Sequence, residues 1–284
     1  MLTKIIRCSK EEYLHWLFHS RQIMLLVLWV FTDIYAVEPL KVRAAQMHTQ
    51  VHVLEPFTAA GNSGTVLLIL PIMFLIFMQN YPMIRGNAVF RIYRIGRSKW
   101  FVSEVLTLCF CILTFLLAVG IGTVLPVLGR CSFSGQWSLA VTEYAQRFPE
   151  QAGNFDLLPE NLFYQIRNPY IAAFHTYALL ALYLMLIGMI QLYSTVLHLR
   201  RVGTAASAFV ILASAGLCAV RTAWMWMFPM AHAIIWLHYT QFLRHPVLSL
   251  AVSYLYLSGF CMLLGFGAFL QARRWSFHSM EGME

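Results

Sequence analysis

Apolar residues arrive in six blocks separated by polar and charged connections: Ile23–Val37, Phe57–Met78, Phe101–Leu128, Tyr170–Leu197, Val202–Phe228 and Val247–Ala272. A helix rises about 1.5 Å per residue, so about 20 apolar residues cross the roughly 30 Å hydrocarbon core of a bilayer. Blocks of this kind predict membrane-crossing helices. The first block is short and contains Asp33, so its helix is expected to begin before Ile23. The second opens with Gly61, Asn62, Ser63 and Gly64 and contains Pro71. The pattern predicts an all-α polytopic membrane protein, a single transmembrane domain over residues 1–284 with six transmembrane helices.

Ahead of the first block, Ser9 and Glu12 have the spacing of a capping box, and Tyr13, Leu14, Trp16, Leu17 and Phe18 follow among polar neighbours. They predict an interfacial helix over residues 9–21, lying in the membrane surface. Residues 129–169 hold Glu143, Glu150, Asp156, Glu160, Pro149 and Pro159. This is expected to be an extracytoplasmic loop, too small for a separate domain.

Composition agrees with the pattern. Of 284 residues, 60% are hydrophobic and 11% charged, against about 25% charged in soluble domains. The net charge of +8 does not point to nucleic acid, because the Lys and Arg sit between apolar blocks and not on one soluble face. With the amino end inside, thirteen of the twenty Lys and Arg fall on the cytoplasmic side, six fall outside, and Arg221 lies within the fifth block. That asymmetry predicts a multi-pass protein of the cell membrane with both termini cytoplasmic. Met1–Gln22 lacks a short apolar core followed by a small-residue cleavage site, so the first span is expected to insert the chain. Of six cysteines only Cys131 falls in a loop between blocks, and no disulfide framework is indicated.

Charges inside a bilayer are costly and are functional candidates by default. Asp33 and Arg221 both fall toward the outer halves of their blocks. They form a candidate intramembrane charge pair locking spans one and five, unless each is solvated at the interface. Glu104, one turn into the third block, is expected to border the cytoplasm. His232, His238 and His245 are spaced by six and seven, which does not place them on one helical face, so no metal or haem site is expected. Gly120, Gly122, Gly259, Gly265 and Gly267 permit close helix contacts. The phosphate-cradling sequence Gly-x-x-x-x-Gly-Lys-Ser/Thr is absent, so the chain has no nucleotide site of that kind.

Residues 81–100, between the second and third blocks, carry the strongest pattern. Asn87, Arg91, Arg94 and Ser98 recur at helical spacing as a polar face, opposite Val89, Ile92 and Tyr93. Gly96 ends the run, and Arg97, Lys99 and Trp100 open the long third block. The stretch Arg94-Ile95-Gly96-Arg97-Ser98-Lys99-Trp100, continuing into Phe101-Val102-Ser103-Glu104-Val105-Leu106, resembles the second-to-third-span junction of ABC-2-type transporter permeases. Six spans, a preceding surface helix and basic cytoplasmic connections also resemble that family.

The resemblance implies a permease subunit of an ATP-driven transporter, an exporter of undetermined substrate, which is not itself an enzyme. Asn87, Arg91, Arg94, Arg97, Ser98 and Lys99 would couple it to a separate ATP-binding subunit that holds ATP and Mg. A second permease subunit, identical or homologous, would complete the pathway. The chain departs from the best-known members in its long connection, which lies between spans three and four instead of five and six. Two other classes remain open, an ion-coupled carrier and a membrane-embedded enzyme.

Overall fold

A computed structural model describes residues 2–82, 92–150, 158–239 and 246–274. Its principal helices are α1 (Leu2–Leu17), α2 (Ser20–Gln46), α3 (Glu55–Asn62), α4 (Gly64–Phe77), α5 (Arg97–Arg130), α6 (Pro169–Val196), α7 (Arg200–Val220) and α8 (Leu250–Arg274). Among the described residues, α2, α5, α6, α7 and α8 are each long and apolar enough to cross a membrane. α3 and α4 form a further apolar pair, bent by 79° at Ser63. These dimensions are those of an all-α polytopic membrane protein.

α6 is the central column. Its most apolar stretch is 72% buried, against 28% or less for α2, α7 and α8, and it packs on α8, α7, α3 and α5. Several polar residues inside this bundle are paired, which offsets the cost of their burial. Gln191 of α6 donates from Nε2 to the Ser207 hydroxyl of α7 at 3.0 Å and accepts from Thr204 at 3.2 Å. Gly122 of α5 admits the Trp29 indole, where a β-carbon would overlap the ring, and Trp29 Nε1 donates to the Ala118 carbonyl at 2.7 Å. By contrast, nothing lies where a β-carbon of Gly259 would point.

α1 departs from the expected interfacial helix over residues 9–21. It begins at Leu2, so Ser9 is an interior residue and no cap. The capping-box spacing is also the (i, i+3) spacing of one helix face, and that face is buried. Thr107 donates to the Ser9 hydroxyl at 3.0 Å, the Tyr13 hydroxyl pairs with that of Thr114 at 2.6 Å, and Glu12 is 3% exposed. α1 therefore runs alongside α5, in the same direction. Trp16 Nε1 donates to the Phe77 carbonyl at 3.2 Å, which joins α1 to the end of α4.

α2 extends well past the apolar block, so that Glu38, Lys41 and Arg43 are helical. Its ladder shifts to a π-helical stretch at Asp33–Val37, just before Pro39. Proline lacks the N–H that would continue the regular ladder, and a one-residue shift accommodates it. α7 ends at Val220, short of the expected Phe228, because Arg221 takes a left-handed conformation with φ of 53°. Short helices at Ala223–Met227, Pro229–Ala233 and Ile235–His238 follow, buried from Pro229 to Ile235.

The connection after α5 is partly ordered. Cys131–Ser132 pairs in parallel with Val51–His52, and helices form at Leu139–Thr142, Tyr144–Arg147 and Glu160–Gln165. All six cysteines are free.

Candidate functional site

Two helices meet at Gly96. The turn 92–95 ends there, with the Gly96 N–H donating to the Ile92 carbonyl at 2.8 Å. α5 begins there, because the Gly96 carbonyl accepts from Lys99 and Trp100 at 3.1 and 3.0 Å. Gly96 has φ of +90°, a backbone region that L side chains rarely occupy. One glycine thus sets the angle between the preceding turn and the longest helix of the fold.

The side chains around this joint divide. Ile92 and Trp100 are buried, at 1% and 2% exposure, and pin the turn and the start of α5 to the bundle. Arg94 and Ser98 are exposed, while Arg97 and Lys99 are half-buried. Tyr93, expected on the apolar face with Ile92, is instead exposed. Asn87, Arg91 and Val89 lie outside the described residues. Arg94 and Ile95 join Lys4, Arg7, Cys8 and Glu11 of α1 in lining an open cleft. Arg7 pairs with Glu11 at 3.4 Å, which leaves the cleft with an excess of positive charge. Such a surface complements an acidic protein face. Arg97 turns the other way and donates from Nη1 to the Arg273 carbonyl at 3.0 Å, at the end of α8.

The expected pairing of Asp33 with Arg221 is corrected. Asp33 Oδ1 lies 3.8 Å from Lys41 Nζ, two helical turns further along α2. Arg221 stands over the Trp236 ring, 5.2 Å from its centroid. Each charge has its own partner nearer in the chain, and spans one and five are not joined through them. Glu104 also differs from expectation: it is fully buried, and the Tyr81 hydroxyl donates to its backbone carbonyl at 3.0 Å.

The opposite end of the bundle holds polar residues that the sequence did not single out. Glu55 is fully buried; its carboxylate accepts from the His52 N–H at 2.8 Å and from the N–H and hydroxyl of Ser138 at 2.6 and 2.8 Å. It ties the segment before α3 to the segment after α5. Asn62, at the bend between α3 and α4, donates to Thr176 at 2.9 Å and accepts from the Ile235 N–H at 3.1 Å, while its carbonyl accepts from Trp236 Nε1 at 3.0 Å. Asn62 and Glu55 sit beside turn-forming residues in the sequence, and that context alone does not distinguish a buried hub from a solvated loop.

Among the described residues no group of three or more His, Cys, Asp and Glu is placed to hold a metal ion. Comparisons with known proteins add no assignment: no family model, curated protein or solved structure matches this chain.

Proposed function

We propose that this chain is the membrane-spanning permease subunit of an ATP-driven ABC-2-type transporter, working as an exporter. On this reading the bent α3–α4 pair makes one crossing, six crossings place both termini in the cytoplasm, and the basic cleft faces a separate ATP-binding subunit. That subunit binds ATP and Mg and hydrolyses the nucleotide. A second permease subunit, identical or homologous, completes the pathway.

The Gly96 joint is the observation that carries the reading. A turn bearing exposed Arg94 is coupled through one glycine to α5, a helix of 34 residues. Force applied at the turn is delivered to the end of a rod packed along α1, α2, α6 and α8. Through Arg97 the same point holds the end of α8. Closure of the ATPase would tilt these helices together and alternate the pathway between the two sides.

A pull-down of the affinity-tagged chain from its native membrane tests this. A separately encoded ATPase should accompany it, and added export substrate should stimulate hydrolysis. Recovery of the chain alone, with ATP-independent uptake into vesicles, would favour an ion-coupled carrier. The broken α3–α4 pair supports that second reading, since interrupted helices form carrier sites.

A further inference from the structure

Three elements that sequence spacing keeps apart meet opposite the Gly96 end. The Pro229–Ala233 helix supplies His232, the Ile235–His238 turn supplies His238, and α8 supplies Ser253. The Ser253 hydroxyl oxygen stands 2.8 Å from His232 Nδ1 and 2.7 Å from His238 Nε2. All three residues are buried, at 2%, 0% and 0% exposure.

The remaining ring nitrogens fix where protons sit. His232 Nε2 faces the Trp226 carbonyl at 2.9 Å, and His238 Nδ1 faces the carbonyls of Ile234 and Ile235 at 3.0 and 3.2 Å. A carbonyl only accepts, so each of these nitrogens must carry the hydrogen of a neutral imidazole. Both nitrogens turned to Ser253 are then bare. The serine has a single proton and can donate to only one of them. With both rings neutral, one of these short buried contacts lacks a hydrogen, and lone pair faces lone pair. Reversing a tautomer only moves the same clash to a backbone carbonyl.

We propose that His232, Ser253 and His238 form a binding site for one proton, shared along the line Nδ1–Oγ–Nε2, which when loaded fastens the Pro229–His238 segment to α8. The added proton comes from solvent and turns the empty contact into a charge-assisted hydrogen bond. Aromatic rings favour the resulting cation. Tyr256 stacks on His232 with centroids 4.1 Å apart, and Trp226 lies 5.5 and 5.1 Å from the two imidazoles.

The other titratable groups on the packed elements have their own partners or positions. Tyr256 donates to the Met227 carbonyl, Tyr254 pairs with His175 of α6, and Tyr177 donates to the Phe57 carbonyl. Arg221 sits over Trp236, α7 adds Cys218, the Ile235–His238 turn leads into Tyr239, and the Glu160–Gln165 helix adds the exposed Tyr164. Among the described side chains on these elements the one carboxylate, Glu55 of α3, accepts from His52 and Ser138, so the favourable contribution at the site comes from Ser253 and the rings. Burial opposes it, because an imidazolium formed there gives up its hydration. The proton is therefore taken up in acidic medium.

Histidine-selective nitrogen labelling of the purified protein in micelles reads this directly. The ring resonances, assigned with His232→Asn and His238→Asn, are followed from about pH 8 to about pH 4. Both rings should change at one common midpoint, with a combined change worth one proton. Ser253→Ala should lower proton affinity at least about tenfold, and Ser253→Thr should retain it. Separate midpoints that Ser253→Ala leaves in place would overturn the proposal, as would two rings still neutral at about pH 4 in the folded protein. If the alanine variant fails to insert, a common one-proton midpoint in both wild type and Ser253→Thr still supports the site, and its absence from either one overturns it.

Discussion

Arg97 and Arg273 are 176 residues apart in the chain, yet the guanidinium of the first donates to the carbonyl of the second at 3.0 Å. The last carbonyls of a helix have no partner within it, and a cation there also offsets the helix dipole. Arg97, at the start of α5, supplies both to the end of α8. Arg97→Ala should speed hydrogen exchange in the last turn of α8, by a factor set by about 0.5–1.5 kcal/mol. Unchanged exchange there would show that α8 holds its own end.

Gly96→Ala isolates a backbone effect, because nothing lies within contact distance of the added methyl. Holding a non-glycine residue at φ of +90° should cost roughly 1–2 kcal/mol. Thermal unfolding in detergent should show that loss, with Gly96→Asn intermediate. If alanine costs nothing, the joint relaxes freely and does not fix the angle of α5.

Arg94 of the basic cleft, together with Arg91 of the same sequence pattern, gives the functional test. Arg91→Glu with Arg94→Glu should leave insertion intact, since eleven of the thirteen inward Lys and Arg remain. Mismatched charge at an interface costs on the order of 2–5 kcal/mol when a buried pair is broken, so the ATPase should no longer co-purify. Retention of the ATPase with parental transport would remove the Arg94 surface as a docking site.

Glu55 predicts a stability effect at the other end. Glu55→Ala leaves the His52 N–H and both Ser138 donors unpaired in a buried position. Each such donor costs about 1–3 kcal/mol. The variant should expose the 131–147 segment to limited proteolysis well below the parental unfolding temperature, whereas parental resistance would mean that water replaces the carboxylate.

Asp33 and Arg221 should behave independently. Asp33 and Lys41 are about 40% exposed, so Asp33→Asn should cost no more than about 1 kcal/mol. A double-mutant cycle between positions 33 and 221 should give coupling within about 0.5 kcal/mol of zero. A larger coupling would restore a link between α2 and α7.

The blocks at Tyr170 and Val247 were readable because uninterrupted apolar sequence and helix coincide there, to within a few residues in α6 and α8. The fifth block misled because Trp224–Met227 is as apolar as a span, while the left-handed turn at Arg221 leaves no trace in hydropathy. Asp33 and Arg221 looked like partners because the helical extension of α2, which brings Lys41 within reach, is polar. The six-residue spacing of His232 and His238 excludes a shared face on one helix. It does not exclude two short turns folding both rings onto a serine of a third element. The Gly96 joint was legible from glycine chemistry alone, although the exposed position of Tyr93 was not.

The bend at Ser63 has a consequence for the surrounding lipid. α4 has 14 residues, about 21 Å of helix at 1.5 Å per residue, against a hydrocarbon slab of roughly 30 Å. On the proposed reading that the pair makes one crossing, the remaining depth falls to α3, bent aside by 79°, and to the Pro229–His238 segment, whose Ile235 N–H and Trp236 indole are bonded to Asn62. This column therefore presents two hydrophobic lengths, a short continuous helix and a taller composite of protein. Thicker bilayers would draw the composite apart at its hydrogen-bonded seam, and thinner ones would press it closed, so acyl-chain length acts on Asn62 as a mechanical load.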